Sequence, residues 1–186
     1  MLHTVYHTLF QPAVFKTETA FQPAWWQGGL LVLCVSTLAT LTSAQGWSTQ
    51  QLMVGLPLAW GQALLAWWFF SLLFHFASDI FGGQGRIGRV MAAVGFAIAP
   101  WIFTPLLRVF AQQGGATGQI LAVLGALVLG FWSLALLAHL LALSESLSLD
   151  RALGALVMTL FLVGVLLTVS LVLSGLQIAF WGAALL

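Results

Sequence analysis

Five apolar runs, each about as long as a bilayer-crossing helix, constrain this chain more than any other feature: Trp25 to Ala44, Pro57 to Ile80, Val90 to Phe110, Gly118 to Leu143 and Ala152 to Leu173, the last followed by an apolar tail to Leu186. A segment of about 20 apolar residues satisfies every backbone N–H and C=O within itself only as a helix, and lipid offers those groups no other partner. The linkers AQGWSTQQLMVG, FGGQGRIGR, AQQGGATG and SESLSLDR are too short to be domains. The expected fold is therefore an all-α integral membrane protein, a single five-helix transmembrane bundle over residues 25–186, preceded by a short cytoplasmic or interfacial segment, residues 1–24. Composition agrees, since 61% of the residues are hydrophobic and 5% are charged, against about 25% charged in a soluble domain.

The few charges give the bundle a direction. Lys16, Arg86, Arg89 and Arg151 fall before span one, between spans two and three, and between spans four and five, all on one side, whereas Arg108 alone lies towards the other. Lys and Arg are retained on the cytoplasmic side during insertion, so the N-terminus is expected in the cytoplasm and the C-terminus opposite. With five basic and four acidic residues the chain has no electrostatic footprint for nucleic acid. The single Cys34 excludes an intramolecular disulfide and a cysteine-pair metal site. Leu2, Val5, Tyr6 and Leu9 recur at helical spacing, which predicts a short interfacial helix with His3 and His7 on one face. No third ligand is spaced to join that pair, so the two histidines read as interfacial polar groups.

The loop between spans two and three contains GQGRIG, Gly83 to Gly88, which has G-x-G-x-x-G spacing. A dinucleotide fingerprint needs a strand before the turn and an acidic residue about 20 positions on. Here a membrane helix enters, and no acidic residue occurs between Asp79 and Glu145. The glycines are read instead as a sharp reversal between antiparallel spans, where positive φ is needed. Arg86 and Arg89 then stand beside the N-terminal end of span three, whose free N–H groups and dipole favour an anion. A lipid phosphate or an acidic partner is the candidate ligand, with Arg151 on the same side; fixing topology is the plainer role for all three.

The run DIFGGQGRIGRVMAAVGFAIAP, Asp79 to Pro100, resembles the central signature of the Yip (Ypt/Rab-interacting protein) family of five-span membrane proteins. The resemblance is carried by Gly82 and Gly83, the basic start of span three, and the G-aromatic-x-x-x-P pattern at Gly95, Phe96 and Pro100. The stretch FWSLALLAHLLALSESLSLDRALGALVMTLF is similar to the segment joining spans four and five in prokaryotic members. The resemblance implies a multi-pass protein with a cytoplasmic N-terminus. It also implies, for eukaryotic relatives, endoplasmic reticulum and Golgi traffic and binding of prenylated Rab-type GTPases. About two dozen residues precede span one, so the long cytosolic region of those relatives is missing and GTPase binding is not carried over. A short prokaryotic-type member in the inner membrane is the better match.

His75 and Asp79 lie four apart on one face of span two, and His139 and Glu145 lie near the same end of span four. Ionisable groups in a membrane helix are functional suspects, so a proton relay or metal site built from these four is one reading. The other, which is the expectation, puts Asp79 and Glu145 at the headgroups, facing water or paired with Arg86 and Arg151. Pro100 and Pro105 predict a packing kink in span three. Gly118, Ala122, Ala126 and Gly130 form a smooth stripe on span four for helix packing, within the chain or against a second copy. Neither H-E-x-x-H nor G-x-S-x-G occurs, and Ser133 and His139 do not share a helix face. No catalytic residue, cofactor or resident metal is expected. The chain reads as a non-catalytic membrane-organising component that binds lipid or a protein partner at its cytoplasmic rim. A small permease or scramblase is the first alternative, and a structural subunit of a larger membrane complex is the second.

Overall fold

The computed structural model describes residues 24–44 and 46–184, with side chains up to residue 172 and at residue 174. The segment from Leu2 to Leu9 with its two histidines, and Lys16, lie outside the described residues. Among the described residues, six α-helices and one 3₁₀ stretch follow in order: α1 (Trp25–Ser43), α2 (Thr49–Ile80), α3 (Ile87–Ala97), the 3₁₀ stretch Ala99–Phe103, α4 (Thr104–Gln113), α5 (Gly115–Glu145) and α6 (Leu149–Ala184). They make five candidate spans, because α3, the 3₁₀ stretch and α4 run on as one segment from Ile87 to Gln113. The protein is a multi-pass bundle of helices long and apolar enough to cross a membrane.

Helix α2 starts eight residues before Pro57, where the sequence places the span boundary. The reason is a capping box: the Gln51 N–H donates to Ser48 Oγ at 3.3 Å and the Ser48 N–H donates to Gln51 Oε1 at 2.8 Å. These bonds satisfy first-turn donors at the true start of the helix, and α2 carries Pro57 in its interior at the loss of one backbone bond. Span three breaks where its prolines fall. Pro100 lies in the first turn of the 3₁₀ stretch and Pro105 in the first turn of α4, positions where a missing N–H leaves no acceptor deprived.

Helix α3 is the centre of the bundle. Its sequence IGRVMAAVGFA is rich in small residues, and Val90 and every residue from Ala92 to Ala97 are buried. Lipid gives no hydrophobic drive for one helix to join another, so close van der Waals approach must supply the attraction. Gly28 of α1 meets Gly95 of α3 at such an approach: a Cβ on Gly95 would overlap the Gly28 backbone, and one on Gly28 would lie 3.0 Å from the Met91 carbonyl oxygen. Trp67 of α2 closes the same junction. Its indole N–H donates to the Met91 carbonyl at 2.8 Å, and its ring covers Gly29, where a Cβ would come within 3.1 Å. Hydroxyls along α1 bond back to carbonyls one turn earlier, as Thr37 does to Leu33 at 2.7 Å and Thr40 to Ser36 at 2.8 Å, which satisfies them inside lipid.

The core sits towards one end of the bundle, where Phe74, Ala77, Val90, Val94, Leu137, Leu141, Ala152, Ala155 and Leu156 pack together. Among the described side chains, helix α6 joins it through its first turns. From Gly164 to Val172 every residue is exposed, an apolar surface suited to lipid.

The small-residue stripe of α5 divides. Gly118 is buried against the Phe110 carbonyl of α4, which a Cβ would overlap, whereas Gly130 has nothing within 4 Å of a Cβ position. The close approach further along α5 is made instead by Gly125, against the Leu107 side chain. Ala126 and Gly130 line an open apolar groove with Trp101, Val123, Leu127 and Phe131. A four-residue interval drifts about 40° per step around a helix of 3.6 residues per turn, so an untwisted stripe leaves a neighbour that does not follow it. Gly118→Ala is expected to destabilise by about 1–3 kcal/mol through overpacking. Gly130→Ala is expected to be neutral or to stabilise by up to about 1 kcal/mol through helix propensity. Thermal unfolding of the two variants in one detergent checks the contrast.

Candidate functional site at the glycine loop

Two helices end side by side at the core-bearing end of the bundle, and both end by the same device. At the end of α2 the Gly83 N–H donates to Ser78 O at 2.8 Å and the Gly82 N–H to Asp79 O at 3.0 Å. Gly82 has φ +86°, the left-handed conformation that this reversal requires. At the end of α5 the Leu147 N–H reaches Ala142 O at 2.9 Å and Ser146 takes φ 56°. The last residue of α5 is Glu145, and the reversal fixes it against the loop that leaves α2.

Glu145 is fully buried, and its groups are used on both sides. The Gly85 N–H donates to Oε2 at 2.7 Å, Oε1 lies 2.7 Å from His75 Nδ1, and the backbone carbonyl accepts from the Gln84 N–H at 3.1 Å. The loop lies so close to the carboxylate that only glycine fits. A Cβ on Gly83 would come within 2.8 Å of Glu145 Oε2, and one on Gly85 would overlap the Ser144 carbonyl. The G-x-G spacing is thereby explained: the first glycine and its neighbour Gly82 turn the chain, and Gly85 presses an N–H onto a buried acid.

This corrects the sequence reading of Glu145, which pairs with His75 and a backbone amide and not with an arginine. The cause is burial. At the end of α5 the carboxylate points inward, where an imidazole and an N–H are the donors within reach. Asp79 does reach the surface, with 54% of its side chain exposed, and lies 3.9 Å from His75 Nδ1. His75, Asp79 and Glu145 each bring a donor atom within 4.8 Å of the others. His139 is outside that group, six residues before Glu145 and so turned to another side of α5. The Ser78 hydroxyl, one turn after His75, is buried without a hydrogen-bond partner among the described residues.

Arg86 is exposed and occupies the N-cap of α3, which has no side-chain cap. Arg89 is half-buried in the next turn. Arg151 is exposed in the first turn of α6, and its guanidinium would lie 3.7 Å from a Cβ on Gly82. Arg86 and Arg151 therefore flank the loop, and Arg89 stands one turn into α3. Among the described residues, no carboxylate lies within 4.0 Å of any of them. Of the other motif residues, Gly95 faces Gly28, Phe96 is fully buried and Pro100 is buried in the 3₁₀ stretch.

Sequence reasoning missed the parts played by Gly28, Gly29, Trp67 and Gly85. Gly28-Gly29 beside a small-residue third span was a readable hint of a close crossing. One buried tryptophan among nine gave none. The Yip1 domain, as a family profile, matches residues 6–185 of the chain. No curated protein and no solved structure matches it.

Proposed function

Because the chain belongs to the Yip1 family, whose domain takes up residues 6–185, we propose that it is a non-catalytic membrane-organising component that binds anionic lipid headgroups at its arginine-bearing end. That end faces the cytoplasm, since four of the five basic residues flank loops on one side and basic loops are retained there. The membrane is the inner membrane of a prokaryote.

One observation carries the reading. Arg86 and Arg151 flank the loop at the N-terminus of α3, Arg89 follows in the first turn of that helix, and none of the three has a carboxylate within 4.0 Å among the described residues. A guanidinium forks naturally onto a phosphate, and the uncapped first turn of α3 adds N–H donors beside it. Each basic group near an anionic surface contributes about 1 kcal/mol.

Arg86→Ala/Arg89→Ala is therefore expected to weaken binding of anionic lipid by about 2 kcal/mol, or roughly 30-fold. Native mass spectrometry of the protein in mild detergent, titrated with anionic and zwitterionic lipid, reads this directly. Equal lipid binding by variant and parent sinks the proposal. A protein retained by the parent and lost by the variant, with lipid binding unchanged, moves the ligand to an acidic partner. Liposome flux abolished by Asp79→Asn, with lipid binding intact, moves the function to transport.

A further inference from the structure

Beneath the arginines, the buried acid and its neighbours make a second kind of site. We infer that His75, Asp79 and Glu145 form a three-ligand site for a first-row divalent cation of the zinc type, which ties α2 to the end of α5. The donors are one imidazole nitrogen and two carboxylates, all within 4.8 Å of one another. That set suits zinc, which takes nitrogen and oxygen at about 2.0–2.2 Å.

The charges suit it equally. Two carboxylates meet around one imidazole, and among the described residues no arginine stands within 4.0 Å of either. A divalent ion neutralises such a pair, of which Glu145 is the buried member whose charge apolar surroundings disfavour. Glu145 is also oriented in advance. Its Oε2 is held by the Gly85 N–H at 2.7 Å, which leaves Oε1 for the ion. An outer partner that fixes a ligating carboxylate is a regular feature of metal centres.

The required movement is small. Ligand atoms of a tetrahedral zinc lie about 3.3 Å apart at those bond lengths. His75 Nδ1 and Glu145 Oε1, now 2.7 Å apart, separate slightly, and Asp79 Oδ1, now 3.9 Å from Nδ1 and within 4.8 Å of the Glu145 carboxylate, closes on both. Binding also displaces any proton on Nδ1, which moves to Nε2 or to solvent, because a ligating nitrogen must offer its lone pair. The exposed side of Asp79 is the entry path, and a water completes the fourth position.

The test uses the full, untagged chain in detergent, stripped with a chelator and carrying His3→Ala/His7→Ala to remove the N-terminal pair. Cobalt(II) serves as the probe. The expected result is a visible tetrahedral absorption band that saturates at one equivalent and is displaced by zinc. Asp79→Asn is the decisive variant, because it leaves the His75–Glu145 contact and the fold in place. Its cobalt affinity is expected to fall by roughly 100-fold, at least the loss that follows removal of an outer-sphere partner. His75→Ala is expected to abolish the band. Absence of any band at millimolar cobalt, or an Asp79→Asn protein that binds as the parent does, overturns the site.

Discussion

Gly95→Val is expected to lower the stability of the bundle by about 3 kcal/mol, the upper end of ordinary overpacking. The obstacle is backbone. A Cβ on Gly95 would overlap Cα, C and O of Gly28, and those atoms cannot rotate away as the end of a side chain does. Helices α1 and α3 must then separate, and the separation spreads. The Met91 carbonyl that Gly28 approaches also accepts the Trp67 indole bond of 2.8 Å, so α2 loses its attachment at the same point. In lipid this loss is not offset by burying apolar surface elsewhere, because close packing is the attraction. Gly164→Val is the control: among the described residues nothing lies within 4 Å of a Cβ there, and the change is expected to stay within about 0.5 kcal/mol. The measurement is the fraction surviving size exclusion after heating, with the tryptophans as reporter. A Gly95→Val protein as heat-resistant as the control shows that the two helices do not cross at the glycines.

The same glycines mark how far the sequence could be read. Five apolar runs fixed the number of spans, because the requirement to satisfy every backbone group in lipid acts on each segment alone. Boundaries failed where a local device overrode hydropathy: the Ser48 and Gln51 capping box extends α2 through Pro57, which looked like an end. The family signature at Gly82, Gly83, Gly95, Phe96 and Pro100 was visible as letters, but its physical content depends on partners far along the chain. Gly95 needs Gly28, and the loop glycines need Glu145, and no periodicity within one helix reports either pairing. The inward turn of Glu145 was hidden for the same reason. A carboxylate at the end of an apolar run ordinarily faces headgroups, and it is the joint fit of the α5 terminus and the loop amides that draws this one inside.

Glu145→Leu is expected to cost about 2–4 kcal/mol, the sum of two polar groups left without an acceptor. The groups are the Gly85 N–H, 2.7 Å from Oε2, and His75 Nδ1, 2.7 Å from Oε1. Leucine fills the volume but accepts nothing, and among the described residues the loop has no other bond at Gly85. Glu145→Gln isolates the charge from the hydrogen bonding. Its amide oxygen accepts from Gly85 and its NH₂ donates to a His75 tautomer protonated on Nε2, so both contacts are kept and the expected cost is below about 1 kcal/mol. The glutamine variant should then stay folded while binding cobalt far more weakly than the parent, because a neutral amide is a poor ligand for a divalent ion. Thermal unfolding without metal, beside cobalt titration of the same samples, separates the two effects. If glutamine destabilises the metal-free protein as much as leucine does, the buried group acts as a charge and not as a hydrogen-bond acceptor for Gly85.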